Sequence, residues 1–470
     1  MPIQNKENLK EKEPYKAELL APAASLEVCK VAVFAGADAI YMGGQKYSAR
    51  AFAKSSLSEE DELLEAIHFC HLYNKKIYMT LNTLFKESER KELFSYMDPY
   101  YEAGLDGVII QDLGIGKMLA KAYPDLPLHA STQMTVHTKE AVGLMEKLGM
   151  ERVVLSRECS LEDISDIAKA SPLELEVFIH GSMCYSYSGA CFMSSLLGGR
   201  SGNRGRCAGT CRLCYSSKGK KGNYLSMKDM FTLDLLKELL EAGAYSLKIE
   251  GRMKSALYTG TVVSIYRKYL DLALQGSSYT VSEEDIALLK EVYDRGGYSS
   301  YLEQHNGEDM IAFGEKPFRK EKEEVLSKLK QEMEERERKI PLKGSLHLSY
   351  DEVPCFSLEG EEDDLFVGKN DVNYAIDGDT VEIVIKKVAD RQKGTAAEAK
   401  IIDILEHGLT TVVGQIVLDE EKPKYAGYIR SKNQKISQPI YVKKPAIQLE
   451  GTEVLKVFID KYPSKKHDFF

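Results

Sequence analysis

The sequence predicts an α/β protein: a (β/α)8, TIM-like barrel followed by a smaller all-β region. Three observations carry that prediction. Short runs rich in Val, Ile, Leu or Tyr alternate eight times with amphipathic stretches over residues 16–276. The runs are apolar almost throughout, as parallel strands buried on both faces must be. After about Ile340 the texture switches to short alternating runs punctuated by Gly, Asp, Asn and Pro. At 470 residues the chain also exceeds the roughly 250–300 residues at which one core stops growing, so two regions are expected.

In chain order the eight runs are AELLAPA, DAIYMGG, KIYMTLN, GVIIQD, PLHASTQM, RVVLSR, LELEVFIHG and SLKIEGR. Between them lie helical stretches such as SLEVCKVAVFAGA, EEDELLEAIHFCHLYNK and KEAVGLMEKLG, each closing near a Gly, Asn or Lys. A doubly wound sheet fits the same alternation. The barrel makes the sharper demand, that polar residues at strand C-termini gather at one mouth. Those ends carry Arg50, Asn82, Gln111 and Asp112, Ser131 to Gln133, Arg157 and Glu158, His180, and Glu250 with Arg252. Arg50, Arg157 and Arg252 can hold a small dianionic metabolite through bidentate hydrogen bonds. Asn82, Asp112 and Gln133 join them as substrate-binding candidates, and Glu158, Glu176, His180 and Glu250 are candidate acid–base or positioning groups. Taken singly, each has a simpler reading as a loop contact or helix cap.

Beyond Ser255 a helix is expected through about Leu274, and SEEDIALLKEVYDRGG adds another that starts at a Ser with acids in its first turn. Residues 311–340 contain FRKEKEEVLSKLKQEMEERERK, charged on most faces and expected to be a solvated connecting helix. From 341 to 470, LKGSLHLS, VEIVIKKV, TVVGQIV, QPIYVKK and VLKVFID are expected as antiparallel strands of small barrels. Residues 1–15 form a polar tail without the apolar run of a signal peptide. No apolar stretch approaches the roughly 20 residues that span a bilayer, so a cytoplasmic protein with no membrane partner is expected. A net charge of -9 argues against a wholly basic nucleic-acid binder and leaves room for local patches.

Five of the nine cysteines fall between residues 184 and 214. In a reducing compartment such a cluster points to metal or redox chemistry. Six residues separate Cys184 from Cys191, fifteen more precede Cys207, and three separate that from Cys211. Four thiolates from one loop can enclose zinc or an iron–sulfur cluster. The uneven spacing, with a single CxxC at Cys211 and Cys214, favours the cluster over a zinc ribbon. From Arg200 to Lys221 the same loop carries Arg200, Arg204, Arg206, Arg212 and three lysines without one acid, a surface suited to tracking RNA phosphates. Neither HExxH nor GxSxG occurs. His180 lies four residues before Cys184, which leaves a Cys–His nucleophile open. One thiolate, however, does not easily serve as both nucleophile and cluster ligand.

EVFIHGSMCYSYSGACFMS resembles the signature of the peptidase U32, or collagenase-like, family, and the likeness extends to DAIYMGGQKYSARAF, STQMTVH, LSRE and IEGRMKS, over residues 16–310. The resemblance implies an oxygen-independent hydroxylation protein. Branches of that family are required for prephenate-dependent hydroxylation of tRNA or rRNA bases, and others carry a cluster on four cysteines. Carried onto this chain, the ligands of a 4Fe-4S cluster are Cys184, Cys191, Cys207 and Cys211, with zinc as the alternative, and prephenate is the anionic co-substrate. Another arrangement in the family places its last cysteine where this chain has Phe231, so Cys211 is the better fourth ligand and Cys214 is spare. Nothing in the sequence names an electron donor.

DDLFVGKNDVNYAIDGDTVEIVI, with GLTTVVGQIV, KYAGYIRS and QPIYVKK, resembles the tandem cold-shock-type OB modules at the front of RNase R. This implies single-stranded RNA binding through Tyr425, Tyr428 and Tyr441 with Lys424 and Arg430 in the second module, and Phe366 in the first. Two departures stand out. The first module has YDEVPCFSL where those modules present an aromatic surface, and the second reaches KKHDFF before its last strand. The function expected is hydroxylation of an RNA pyrimidine, with a collagenase-like peptidase and a non-catalytic RNA-binding protein as alternatives.

Overall fold

The structure, a computed structural model, describes residues 16–44, 46–48, 61–188, 190–292, 295–303, 307–314, 341–348, 354–357, 365–387, 398–419, 421–431, 439–444 and 449–462. Arg50, the N-terminal tail and residues 315–340 of the expected connecting helix lie outside them. Two compact units divide the chain, residues 1–333 and 334–470.

In the first unit, strands and helices alternate: β1 (Glu18–Ala23), α1 (Leu26–Phe34), β2 (Ala39–Met42), α2 (Asp61–Leu72), β3 (Lys76–Leu81), α3 (Leu93–Glu102), β4 (Gly107–Ile110), α4 (Leu113–Ala122), β5 (Leu128–Ala130), α5 (Lys139–Lys147), β6 (Arg152–Val154), α6 (Leu161–Ala170) and β7 (Glu174–Ser182). An excursion follows, made of α7 (Met193–Gly198), the hairpin β8 (Tyr215–Ser217) and β9 (Lys220–Gly222), and β10 (Asp229–Phe231). The alternation then resumes with α8 (Leu236–Glu241), β11 (Ser246–Ile249), α9 (Ala256–Leu274) and α10 (Glu283–Val292).

Strands β1 to β7 pair in parallel with their neighbours, β7 pairs with β11, and β11 pairs with β1, which closes an eight-stranded parallel barrel. Its strands are the eight apolar runs read from the sequence. β10 adds to β7 in antiparallel fashion, at the base of the cysteine loop. Helix starts follow local chemistry. The hydroxyls of Ser25, Thr138 and Ser255 accept from Val28, Ala141 and Tyr258 amides, and Ser160 with Asp163 forms a capping box. Asp285 N donates to Ser282 Oγ at the expected start of α10. No described helix is long and apolar enough to cross a membrane.

The barrel interior has a buried polar floor. Arg152 donates to Glu18 Oε1 at 2.6 Å, to Glu174 Oε2 at 2.7 Å and to Glu176 Oε2 at 3.3 Å. Tyr78 and Ser246 complete Glu18, at 2.6 and 2.9 Å, and Lys248 Nζ donates to Glu176 Oε1 at 2.6 Å. Every charge in this layer is both paired and hydrogen-bonded, the condition under which buried ions are tolerated.

The second unit holds two β modules. The first is a closed barrel of β12 (Leu342–Leu348), β13 (Pro354–Ser357), β14 (Leu365–Val367), β15 (Thr380–Lys387) and β16 (Glu398–Glu406), in the order β12-β13-β14-β16-β15. Its one parallel pair is β14 with β16. The second is a four-stranded sheet of β17 (Thr411–Leu418), β18 (Tyr425–Ser431), β19 (Ile440–Lys443) and β20 (Val454–Phe458), in the order β19-β18-β17-β20. That order repeats β14-β13-β12-β15, and a counterpart of β16 is not among the described residues.

Candidate active site at the barrel mouth

A cavity of about 130 Å³ opens at the C-terminal ends of the strands. Its wall includes Asn82, Gln133, Arg157, Glu158, Glu250 and Arg252 from the strand ends, Lys248 and Tyr41 from the floor, and Cys184, Cys191 and Cys207 from the loop after β7. Strand geometry explains much of this. Along SLKIEGR, residues 248, 250 and 252 alternate to one side, so Lys248 follows from the same pattern that nominated Glu250 and Arg252.

Both described arginines are held in place. Arg157 Nη2 donates to Glu250 Oε2 at 2.9 Å, and its guanidinium lies 3.8 Å from the Phe178 ring centroid. Arg252 Nη1 donates to Ser48 Oγ at 2.7 Å and Thr80 Oγ1 at 2.6 Å. A Cβ at Gly43 would lie 2.6 Å from Ser48 Oγ and 3.0 Å from Arg252 Nη1, so glycine keeps this corner open. Lys248 sits 4.0 Å from the Tyr41 ring, and burial lowers its pKa against the pull of Glu176. Arg157 and Arg252 share the wall with the carboxylates of Glu158 and Glu250, while Lys248 is paired with Glu176, so the two guanidinium groups are the cations placed to meet an anionic ligand.

Several expected site residues lie elsewhere. Glu176 is fully buried in the polar floor between Arg152 and Lys248, where its carboxylate is consumed by ion pairs. His180 faces the helix layer. Register shifts between β7 and β11, where Phe178 pairs with Lys248 and His180 with Ile249, so a bulge turns His180 off the face shared by Glu176 and Phe178. Its Nδ1 meets Tyr266 OH at 3.2 Å, and burial pushes its pKa down to about 4. The Cys–His arrangement is therefore not built. Gly181, at φ +105°, follows the bulge, and a Cβ there would strike Glu250 O at 2.6 Å. Asp112 caps α4, accepting from Gly114 and Ile115 amides, and also accepts from Phe85 N. Arg50 lies outside the described residues.

The basic loop divides in the same way. Arg212 is buried and donates to Ser226 Oγ, Met227 O and Met183 O, which staples the loop to the barrel. Arg204 pairs with Glu89 and donates to Leu84 O. Arg200 and Arg206 are exposed, with Arg200 Nε on Arg206 O, and Lys218, Lys220 and Lys221 are exposed as well. Phe231, on β10, packs 5.6 Å from the His180 ring. In the second β module, Tyr425 and Tyr428 lie 5.3 and 5.9 Å from Tyr441, whose ring also carries Lys422 Nζ at 4.1 Å. Arg430 is exposed opposite Gln415, and Phe366 of the first module is exposed.

Cys184, Cys191 and Cys207 line the cavity, and Cys211 is their neighbour. Burial pushes the Cys211 thiol up, Arg212 pulls it down, and Cys184, Cys207 and Cys191 add to the rise. Cys207 Sγ accepts from Gly209 N at 3.4 Å, the kind of contact that tunes an iron–sulfur centre. As the side chains stand, no three His, Cys, Asp or Glu among the described residues are grouped to hold a metal ion. The donor set of one loop, four soft thiols, is the ligand chemistry that a cluster takes.

Residues 24–312 match the profile of peptidase family U32, and residues 356–401 match the ribonuclease B OB domain. The 23S rRNA 5-hydroxycytidine C2501 synthase of Escherichia coli (strain K12) is 35% identical over 318 residues, 65% of this chain and 48% of that protein. The tRNA hydroxylation protein P1 of Bacillus subtilis (strain 168) is 35% identical over 314 residues, 64% of this chain and 74% of that protein. This chain thus spans about half the length of the first and about three quarters of the second. Among solved structures, the U32 peptidase Mk0906 is 15% identical with a TM-score of 0.38, covering 53% of this chain and 97% of that one.

Proposed function

Because the chain belongs to peptidase family U32, and curated relatives at 35% identity are named for RNA hydroxylation, we propose that it hydroxylates a pyrimidine of tRNA or rRNA. The observation that carries this reading is the cavity itself, which joins a wall bearing two arginines to three cysteines of one loop. In this reading Arg157 and Arg252 bind the carboxylates of a small dianion, prephenate by family resemblance. Glu250 and the Ser48–Thr80 pair hold those guanidinium groups in place, so little side-chain entropy is lost on binding. Glu158 and Glu250 are the carboxylates placed to hold or move a proton at the cavity edge. Lys248, paired with Glu176, fixes the floor beneath the ligand. Arg200, Arg206 and the three exposed lysines meet RNA phosphates, while the tyrosines of the second β module stack on unpaired bases. A four-iron cluster on Cys184, Cys191, Cys207 and Cys211 would supply one-electron chemistry beside the cavity.

Nucleoside mass spectrometry of tRNA and rRNA from a strain lacking the gene tests the proposal. One hydroxylated pyrimidine should disappear and return on complementation. Nucleosides unchanged in both RNA pools would sink it.

A further inference from the structure

One wall of the mouth carries polar atoms that the protein leaves unsatisfied. The short turn Thr132–Met134 at the end of β5 puts Thr132 and Gln133 against the cavity. Thr132 Oγ1 and Gln133 Oε1 are buried and have no hydrogen-bond partner among the described residues. Buried polar atoms are rarely left so, because each loses its water without compensation. A ligand that supplies the missing partners is favoured at this wall.

The same cavity also holds an aromatic ring. Tyr187 lines the cavity yet is 60% exposed, with its ring centroid 6.4 Å from that of His137. Its backbone is fixed at the next residue. Thr135 Oγ1 donates to Ser188 O at 2.8 Å, Ser188 Oγ donates to Glu158 Oε2 at 2.8 Å, and Arg157 N donates to Ser188 Oγ at 3.1 Å. Ala190 N closes the turn on Tyr187 O, also at 2.8 Å. Thr135 itself has φ +56°, a left-handed conformation that strains a β-branched residue. Strain of this kind persists where surrounding bonds over-determine the backbone, and it gathers at binding sites. The result is a large apolar face kept in water on a rigid support, beside an unsatisfied polar wall.

We infer that this is the seat of the target nucleobase: Tyr187 stacks on the pyrimidine face while Thr132 and Gln133 hydrogen-bond its edge. The inference rests on the RNA-modifying reading and assigns residues to it. A base inside a helix has its faces covered by neighbours and its edge paired, so it must be unstacked to be modified, and the protein must replace the lost stacking. A pyrimidine edge offers N–H donors beside carbonyl or ring-nitrogen acceptors. The Gln133 oxygen can take the former, and the Thr132 hydroxyl can serve either.

The test is photo-cross-linking of the full chain to a single-stranded oligoribonucleotide carrying one 5-bromouridine, with mass-spectrometric mapping, run beside complementation of the gene-lacking strain. Cross-links should fall on Tyr187 or His137 and be lost in Tyr187→Ala. The hydroxylated nucleoside should drop about tenfold or more in Tyr187→Ala, as loss of base stacking predicts, and recover in Tyr187→Phe. Gln133→Leu should lower it while leaving the cross-link in place. Cross-links confined to the C-terminal β modules, or wild-type nucleoside levels from Tyr187→Ala, overturn the seat alone. If the wild-type gene itself restores no hydroxylated pyrimidine, the RNA reading fails, and the seat with it.

Discussion

The same barrel strands carry charge at two levels, and the levels differ in what their charges face. In the lower layer Arg152, Glu18, Glu174, Glu176 and Lys248 satisfy one another, with Tyr78 and Ser246 filling the remaining valences. At the mouth, Arg157, Arg252, Glu158 and Glu250 are held in place by neighbours yet line a cavity, and Thr132 and Gln133 keep unsatisfied atoms there. A closed set of charges makes a floor, whereas charges that line a cavity beside unsatisfied neutral polar atoms make a binding site. Charged residues in barrel strands therefore separate into two kinds by what they face, not by burial alone.

Substitutions at the two levels should fail in different ways. The largest effect is expected for Cys184→Ser. On the cluster proposal, anaerobically purified native protein is brown and holds iron, and the variant should lose both together with the modified nucleoside, with little change in the unfolding transition. Cys159→Ser should change none of these, because that thiol is buried away from the cavity and its pKa is pushed up to about 12. A colourless wild-type protein holding one zinc would remove the cluster from the proposal.

Arg152→Ala should do the reverse. It strands Glu18 without its cation and leaves Glu176 with Lys248 alone, a loss of about 3–5 kcal/mol. Urea unfolding should show this as a lower midpoint, and no small-molecule ligand should rescue it. A shift of under about 1 kcal/mol would show the floor to be no more than loosely coupled.

Next in size is an acid sensitivity outside both levels. His180 falls from its ordinary 6.5 to about 4 through burial, so between those values the unfolded chain binds a proton that the folded chain refuses. Stability is therefore full above about pH 6.5 and falls as pH drops towards 4, by about 3 kcal/mol in all. His129, pushed well below its ordinary value by burial, acts in the same direction. Urea midpoints from pH 7 to 5 should fall in the native protein and fall less steeply in His180→Asn, where His129 alone of the pair remains. The smallest effect belongs to Asp112→Ala, which removes the cap of α4 at a cost of about 1 kcal/mol and should leave nucleoside levels intact.

The eight barrel strands were legible because a parallel strand covered on both faces must be apolar along its whole length, and few other patterns produce that. The residues at the mouth were legible as a group, because polar side chains at strand ends have nowhere else to go. Their division into site and scaffold was not. Arg212 looks like any other arginine of the basic loop until its three hydrogen bonds show it inside the fold. Asp112 looks like a ligand-binding acid until α4 begins beneath it. Lys248 could have been found by alternation from Glu250, whereas Tyr187 gave no signal beyond standing among cysteines.

The sequence by itself determined the order of strands and helices, the two-part organisation, and the thiol loop after the seventh strand, because these depend on periodicity and spacing along one chain. Tertiary structure alone decided which charges close on one another. It also decided that one register shift turns His180 away from the mouth, and that strand ends distant in sequence meet around one cavity. Those outcomes depend on distances between segments, and a linear pattern carries no distances.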